Sequence, residues 1–221
     1  MTRALIIGSS GGIGHALAAG LTARGWQVTG LSRSADGLDV TQEASIAQHL
    51  AALDGPFQRI IIATGALEID GHQPEKAFKQ LTADGMAAQF ALNTIGPALV
   101  IKHCMAFLPK DSPAVIAALS ARVGSIGDNR AGGWHSYRAS KAALNQIIRG
   151  AAIELGRTHR QAVCVALHPG TVATRFTEKY LGRHPSVSPE EAAANLLGVM
   201  DELTPDQTGQ CYDWAGKPVP W

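Results

Sequence analysis

A tyrosine and a lysine lie four residues apart in the segment Tyr137-Arg138-Ala139-Ser140-Lys141. Residues with this spacing share one face of a helix, so the phenol of Tyr137 and the ammonium of Lys141 would be neighbours. A positive charge near a phenol favours the phenolate and lowers its pKa from about 10. The pair predicts an acid or base that works near neutral pH, although the same spacing also fits an exposed pair without chemistry.

A glycine-rich segment, Gly8–Gly14, lies between a short apolar run and a stretch of helical periodicity. Glycines allow a tight turn and a close approach of the backbone to a pyrophosphate. The helix that follows offers free N–H groups and a partial positive charge. This context predicts a dinucleotide-binding loop rather than an ordinary turn between strand and helix. The residues that we expect to contact the dinucleotide here are Gly8, Ser9, Ser10, Gly12, Ile13 and Gly14.

The end of the second predicted strand is where an acidic residue would bind the ribose 2′-hydroxyl of NAD. The chain has Ser32 and Arg33 at this point. A guanidinium is always charged and matches the geometry of a phosphate, so it suits the 2′-phosphate of NADP. We therefore predict NADP(H) in preference to NAD(H). Arg33 also fits a solvated surface residue, and Asp36 could still meet a ribose.

The elements that would position these residues alternate between apolar runs and helical stretches. This alternation predicts an α/β fold with a single Rossmann-type, doubly wound parallel sheet of about six or seven strands and helices on both faces. We expect one domain over residues 1–221. The predicted strands are Arg3–Gly8, Gln27–Ser32, Arg59–Ala63, Ala114–Leu119, Ala162–Leu167 and Gln210–Trp214. The predicted helices are Gly12–Arg24, Gln42–Leu53, a region over 75–108 interrupted near Gly85 and at Gly96-Pro97, Ser136–Gly156 and Pro189–Leu203.

One connection does not fit this alternation. Only about five residues separate the second strand from Leu38-Asp39-Val40, whereas a crossover between parallel strands needs about a dozen. Either a helix is shortened to a tight loop, or Leu38–Val40 is barely a strand, and the sequence leaves both open.

The motifs occur in an order that resembles the short-chain dehydrogenase/reductase family. The glycines of the loop have the spacing G-x-x-x-G-x-G, and the tyrosine–lysine pair follows the apolar run Ala114–Leu119. The segments Gly124–Asn145 and Gly209–Trp221 are similar to the C-factor-like, carbonyl-reductase-like branch of this family. In the enoyl-reductase branch the tyrosine and the lysine are further apart.

This resemblance implies an NADP(H)-dependent oxidoreductase that transfers hydride between a nicotinamide and a carbonyl or secondary alcohol. The alternative is an NADP(H)-binding, C-factor-like signalling or regulatory protein with little turnover. The expected partner is a small carbonyl or alcohol substrate, covered by a lid over about 171–187. The resemblance also implies a homodimer or homotetramer through the helix of Tyr137, whose apolar residues are Ala142, Ala143, Leu144, Ile147, Ile148 and Ala151.

The resemblance implies further roles, residue by residue. Tyr137 would protonate the substrate oxygen, Lys141 would bind the nicotinamide ribose, and Asn93 would support a water chain to the lysine. His168 is expected to be a strand-end residue rather than a base. Other expected cofactor contacts are Asp39 and Val40 at the adenine, Ala63, Thr64 and Gly65 where the family has Asn-Ala-Gly, and Pro169, Gly170, Val172 and Thr174 around the nicotinamide.

The carbonyl-polarising serine is where the chain departs from the family. The family has two serines before a glycine three residues on, and the second serine polarises the substrate carbonyl. Counted back from Gly124, that position is Ala121, and Ser120 lies one place early. A bulge could bring Ser120 into the site, Ser125 could substitute, or the donor could be absent. Ser120 is our hypothesis.

Composition excludes several other classes. Nineteen basic and eighteen acidic residues give a net charge of +1 without a basic stripe, so binding to nucleic acid is not expected. The three cysteines are far apart and predict buried thiols in a reducing cytoplasm. We expect no membrane span and no signal peptide. The histidine spacings do not predict a metal site.

Overall fold

Six strands pair in parallel into one sheet: β1 (Arg3–Ile7), β2 (Gln27–Leu31), β3 (Arg59–Ile62), β4 (Ala114–Leu119), β5 (Ala162–His168) and β6 (Cys211–Asp213). The structure is a computed structural model that describes residues 1–174, 177–180 and 185–221. The strand order is β2-β1-β3-β4-β5-β6. The central strands consist almost entirely of buried apolar residues, because helices cover both faces of the sheet.

The helices form the two outer layers. They are α1 (Gly12–Ala23), α2 (Arg33–Asp36), α3 (Glu43–Ala51), α4 (Ala83–Phe90), α5 (Gly96–Cys104), α6 (His135–Leu155) and α7 (Pro189–Glu202). Apolar residues of α1 and α7 pack on one face of the sheet, and those of α3, α5 and α6 pack on the other. This arrangement confirms the predicted doubly wound α/β fold.

The chain reverses its direction across the sheet next to β1. It passes from β1 to β2 at one edge and then returns to β3 on the other side of β1. The connections at the carboxyl ends of β1 and β3 therefore diverge, which opens the crevice where doubly wound proteins bind ligands.

The segment Leu38–Val40 forms no strand, and β2 is the edge of the sheet. The chain after β2 makes the single turn of α2 and leaves it at Gly37, whose φ is +79°. Leu38 and Val40 bury their side chains in the core without pairing. The crossover from β2 to the next strand, β3, runs through α2 and α3, so the outcome is close to the second possibility that the sequence left open, in which Leu38–Val40 is barely a strand.

The helical region is interrupted near Gly85 as predicted, at Leu81-Thr82, but the predicted interruption at Gly96-Pro97 is wrong. Gly85 lies in the first turn of α4, where its N–H donates to Thr82 Oγ1 at 3.1 Å. Helix α4 continues into α5 through a π-helical turn, Ala91–Ile95, in which the N–H of Gly96 donates to the carbonyl of Ala91. This wider turn precedes Pro97, and the helix continues through it into α5.

By length and composition, the helix over Ala83–Phe107 is able to cross a membrane, which the sequence analysis did not anticipate. It has 25 residues, and an 18-residue window reaches a mean hydropathy of 1.3. Val100, Ile101 and Cys104 on this helix are buried in the core beneath the sheet. Because its apolar face packs there, we interpret it as a core helix of the α/β fold.

Candidate active site

A cavity of about 360 Å³ lies at the carboxyl ends of β1, β3, β4 and β5. It brings together residues from five separate segments of the chain. They are Ser10, Gly11, Gly12, Ile13, Gly14, Ala63, Thr64, Gly65, Leu119, Ser120, Ala121, Tyr137, Lys141, His168, Pro169, Gly170, Val172, Thr174 and Thr177. Of the predicted site residues, Gly8, Ser9, Ser32, Arg33, Asp39, Val40 and Asn93 lie outside this lining.

The glycine loop is tied to the sheet and opens toward the cavity. The N–H groups of Gly8 and Ser9 donate to the carbonyl of Leu31 at 2.7 and 3.2 Å, which joins the loop to the end of β2. A Cβ at position 14 would lie 2.2 Å from the carbonyl oxygen of Gly8, so only glycine fits there. The start of α1 has no side-chain cap and no acidic residue in its first turn. Its N–H groups and helix dipole therefore remain available to an anion.

Other features of the cavity also fit a dinucleotide. The Thr64 hydroxyl is buried without a hydrogen-bond partner, although it lines the cavity. A Cβ at Gly12 would lie 2.8 Å from the methyl group of Thr174, so glycine leaves a narrow space between the loop and the opposite wall. A buried hydroxyl without a partner calls for an explanation, and a bound polar ligand supplies one.

An exposed arginine, Arg33, follows the end of β2, and the nearby acid Asp36 accepts hydrogen bonds from Ser32. Ser32 donates to Asp36 Oδ2 from its N–H at 2.7 Å and from its hydroxyl at 3.2 Å, and its Oγ accepts from the N–H of Ala35. Asp36 is therefore engaged by its own turn. Arg33 is exposed beside it, and its charge helps to lower the pKa of Asp39, after the hydrogen bonds from Thr41.

Tyr137 and Lys141 lie on one face of α6 and are both buried, with exposed fractions of 7% and 3%. Lys141 Nζ lies 5.9 Å from the centre of the Tyr137 ring and donates to the carbonyl of Leu119 at 3.0 Å. Burial lowers the pKa of Lys141 to about 8.

Burial also raises the pKa of Tyr137 above its ordinary value. This direction is opposite to the one predicted from the sequence. The phenol has lost its water, and desolvation penalises the phenolate as well as the neighbouring ammonium. Tyr137 is therefore held as a neutral phenol, the form that can donate a proton.

Asn93 lies in the π-helical turn and is fully buried. Its Oδ1 accepts from the N–H of Ala66 at 3.1 Å, and its Nδ2 donates to the carbonyl of Ala66 at 2.9 Å and to Gln89 Oε1 at 2.6 Å. Gln89 also donates to the carbonyl of Leu67 at 2.8 Å. The two amides thus hold the loop after β3 against α4. Sequence reasoning missed Gln89, although its place four residues before Asn93 was a usable signal.

Glu75 is a second residue that sequence reasoning missed. The residue before α6 is Trp134, which lacks a capping oxygen and has a φ of +51°. Glu75 supplies the cap from another segment: its carboxylate accepts from the N–H of Ser136 at 3.2 Å and from the Ser136 hydroxyl. Its carbonyl also accepts from the N–H of Trp134. This carboxylate stabilises the positive end of α6, one residue before Tyr137.

The serines differ in what their hydroxyl groups contact. Ser120 lines the cavity, but its hydroxyl donates to Asn145 Oδ1 at 2.7 Å on α6. Ser125 is buried outside the lining, and its Oγ accepts from the N–H of Asp128. Ala121 lines the cavity in extended conformation, and no bulge occurs at this strand end. Ser120 thus lies at the cavity, but its hydroxyl proton is donated to Asn145.

The two ends of the segment predicted to be a lid are paired with each other. Val172 pairs with Val187, where the N–H of Ala173 donates to the carbonyl of Val187 at 2.8 Å. Lys179 Nζ forms an ion pair with Glu68 at 2.6 Å, which links this segment to the loop after β3. The lid residues Arg175, Phe176, Leu181, Arg183 and His184 lie outside the described residues.

The three cysteines are buried and unpaired with one another. Burial raises the pKa of Cys104, Cys164 and Cys211 to about 12, so all three remain thiols. Within 1–174, 177–180 and 185–221, no group of three or more His, Cys, Asp or Glu side chains could hold a metal ion.

A dinucleotide-binding oxidoreductase is the class of protein that this fold and cavity define. A family model described as "Enoyl-(Acyl carrier protein) reductase" matches residues 7–212. The "1-hydroxy-2-glutathionyl-2-methyl-3-butene dehydrogenase" of Rhodococcus sp. (strain AD45) is 31% identical over 236 aligned positions, which cover 100% of both chains. The chain belongs to the short-chain dehydrogenase/reductase family and is an oxidoreductase.

Two further similarities agree with the predicted family and branch. The "C-signal" of Myxococcus xanthus is 33% identical over an alignment that covers 62% of this chain and 78% of that protein. A solved structure, a "putative short-chain dehydrogenase/reductase from Burkholderia multivorans with bound NADP", superposes with a TM-score of 0.81 and 25% identity, covering 100% and 99% of the two chains.

The burial of Lys141 generates a prediction about stability. The unfolded chain keeps the lysine proton up to its ordinary pKa of 10.5, but the folded chain keeps it only to about pH 8. Between these values the unfolded state binds more protons, so stability rises with pH in this window. Lys141→Met removes the buried charge and should raise the free energy of unfolding at pH 7 by about 1–2 kcal/mol.

Urea unfolding at pH 7 and pH 9.5 measures this effect, and Lys102→Met is the matched control. Lys102 is exposed and pairs with Glu43, so its loss should change stability by less than about 1 kcal/mol. An Lys141→Met protein that is less stable than wild type at pH 7, or that keeps the full rise in stability above pH 8, would contradict this account.

Proposed function

We propose that the protein catalyses the reversible, NADP(H)-dependent conversion of a carbonyl compound into a secondary alcohol. One observation carries this proposal: a single cavity joins the uncapped start of α1 to the buried pair Tyr137 and Lys141. The four-residue spacing of that pair favours reduction of C=O over C=C, given the longer spacing of the enoyl reductases.

The nicotinamide cofactor, when bound, would supply or accept the hydride at the carbonyl carbon. Tyr137 donates its phenolic proton to the carbonyl oxygen, and its raised pKa keeps the phenol protonated before the reaction. Lys141 holds a positive charge beside the phenol, anchored by the carbonyl of Leu119. That charge stabilises the phenolate left by the proton transfer. The loop held by Asn93 lies behind Lys141, and Asn93 would support the resupply of protons.

Arg33 supports the preference for NADP(H). It is exposed at the end of β2, where the dinucleotide ribose is expected, and the acids near it are already engaged, since Asp36 accepts from Ser32 and Asp39 accepts from Thr41. The NADP named with the Burkholderia multivorans structure supports the same preference. We further propose that Asp39 and Val40 lie at the adenine and that Pro169, Gly170, Val172 and Thr174 lie at the nicotinamide.

The substrate that we propose is an apolar or aromatic carbonyl compound or the corresponding alcohol. Leu119, Ala121 and Val172 support this choice, because they are apolar residues of the cavity lining. The Rhodococcus relative is named for a hydroxy compound with a glutathionyl group, so a glutathione-conjugated alcohol belongs among the compounds to be tested.

We also propose that the protein forms a homo-oligomer through α6. The exposed apolar face of this helix is smaller than the sequence indicated. Leu144 and Ile148 are buried in the core of the protein itself. Ile147 and Ile153 remain exposed on this helix. The exposed residues Ile126 and Trp221 lie near α6 as well, in a cavity that Ala142 and Gln146 also line.

Consumption of NADPH tests the proposed function. The purified protein should oxidise NADPH with at least one member of a panel of aldehydes, ketones and α-dicarbonyls, and Tyr137→Phe should lower kcat at least about 100-fold because the proton donor is lost. Tyr212→Phe is the control, since the Tyr212 hydroxyl donates to the carbonyl of Gln207 outside the cavity. Full turnover by Tyr137→Phe would overturn the mechanism, and tight NADPH binding without turnover would favour the signalling alternative.

Substitution of Arg33 tests the cofactor preference separately. Arg33→Ala should raise the Kd of NADPH about 10- to 100-fold and leave that of NADH unchanged, because only NADPH carries the 2′-phosphate. Arg160→Ala, which removes an exposed arginine after α6, is the matched control. Equal effects of Arg33→Ala on the two cofactors, measured by fluorescence titration, would refute the assignment.

A further inference from the structure

The position that the family fills with a carbonyl-polarising serine is Ala121 in this chain, and a methyl group cannot donate a hydrogen bond. The neighbouring hydroxyl groups do not replace it. Ser120 donates to Asn145, and Ser125 lies outside the cavity lining. Tyr137 therefore needs a second donor to stabilise the substrate oxygen as negative charge develops there.

His168 lies on the neighbouring strand, opposite Ser120 in the continued register of β4 and β5. It ends β5, the strand next to β4, and the N–H of Ser120 donates to the carbonyl of Leu167 at 2.8 Å. Successive residues of a strand point to opposite faces. Leu119 and Leu167 pack on the face covered by α1 and α7, so Ser120 and His168 point toward α6, which carries Tyr137 and Lys141. His168 lines the same cavity as that pair.

The imidazole of His168 has no hydrogen-bond partner within the described part of the chain. Its Nδ1 is buried and unpartnered, and no hydrogen bond to Nε2 is formed there either. Buried polar atoms are almost always paired, so an unpaired imidazole next to a cavity indicates a ligand that completes it. The hydroxyl of Ser120, by contrast, already donates to Asn145.

We propose that His168 donates the hydrogen bond to the substrate carbonyl oxygen that a serine donates elsewhere in the family. The proposal deepens the proposed function and rests on it. His168 then takes over a role for which the sequence pattern had suggested Ser120.

The pKa of His168 keeps its imidazole neutral, so the ring can donate a hydrogen bond from its one N–H group. Burial lowers its pKa to about 4, and the charge of Arg122 acts in the same direction while that of Asp213 opposes it. The ring is therefore neutral near pH 7 and carries one N–H, whose tautomer a substrate oxygen can select. In the reaction the carbonyl carbon gains the hydride, the oxygen gains the proton of Tyr137, and His168 stabilises the oxygen without losing its own proton.

The other unpartnered group of the cavity is the Thr64 hydroxyl, which follows β3, the strand on the other side of β4. The backbone N of Thr64 is 3.1 Å from where a Cβ of Gly8 would lie, so Thr64 adjoins the glycine loop. The Thr177 hydroxyl donates to the carbonyl of Val172. Among the described lining residues, His168 and Thr64 have a buried polar side-chain atom without a partner, and His168 is the one on the strand that pairs with β4 at Leu119 and Leu167.

Three variants test this proposal with 1-phenyl-1,2-propanedione, an aromatic α-dicarbonyl, as the probe. His168→Phe keeps a ring but removes the donor, and should lower kcat about 10- to 1000-fold. His168→Gln restores an N–H donor and should recover much of that loss. Ala121→Ser, added to His168→Phe, should also recover activity, because it returns a hydroxyl to the family position.

A spectroscopic readout separates this proposal from the proposed function. With ¹³C-labelled probe and NADP⁺ bound, no turnover is needed, and the infrared C=O stretch should be lower in wild type than in His168→Phe. The Kd of NADPH and the thermal unfolding of all variants should remain close to those of wild type. An unchanged C=O stretch in His168→Phe, or a loss of kcat that neither His168→Gln nor Ala121→Ser recovers, would overturn the proposal. A shifted C=O stretch without any NADPH oxidation by wild type would support His168 as the donor and reject the proposed function.

Discussion

A buried ammonium group is the constraint on which the rest of the site depends. Lys141 lies almost entirely out of water and retains the carbonyl of Leu119 as its hydrogen-bond acceptor. Burying a cation is costly, and the cost appears as the lowered pKa of this lysine. The surrounding backbone leaves just enough space for the charge: a Cβ at Gly65 would lie 3.4 Å from Nζ and 2.9 Å from Asn93 Oδ1. The buried charge of Lys141 thus lowers the stability of the fold at the place where it lies beside the Tyr137 phenol.

Two unusual helix features hold this arrangement in place. The π-helical turn sets Asn93 against the loop after β3, where it bonds both backbone groups of Ala66. At the start of α6, Glu75 supplies from a distance the cap that Trp134 lacks. Both features act on elements that adjoin Lys141 or Tyr137. The local geometry of the two helices is therefore part of the site rather than an incidental irregularity.

Local patterns allowed most of the fold and the centre of the site to be predicted. Strands such as Ala114–Leu119 are continuous apolar runs, and the glycine loop lies between a strand and a helix, so short-range sequence was sufficient there. What escaped prediction depends on contacts distant in sequence. Glu75 and Ser136 are 61 residues apart, and Ser120 reaches Asn145 across 25 residues. The direction of the Tyr137 pKa shift also escaped, because burial is a property of the whole fold.

The central claim is that one cavity places a dinucleotide and a carbonyl compound against Tyr137. A single-turnover reaction with NADPH that is deuterated at the transferable C4 position tests it most directly, with mass spectrometry of the product. The account predicts that the alcohol gains one deuterium on the former carbonyl carbon in wild type, at a rate at least about 100-fold lower in Tyr137→Phe. Deuterated NADPH that binds tightly and transfers no label to any carbonyl compound would contradict it.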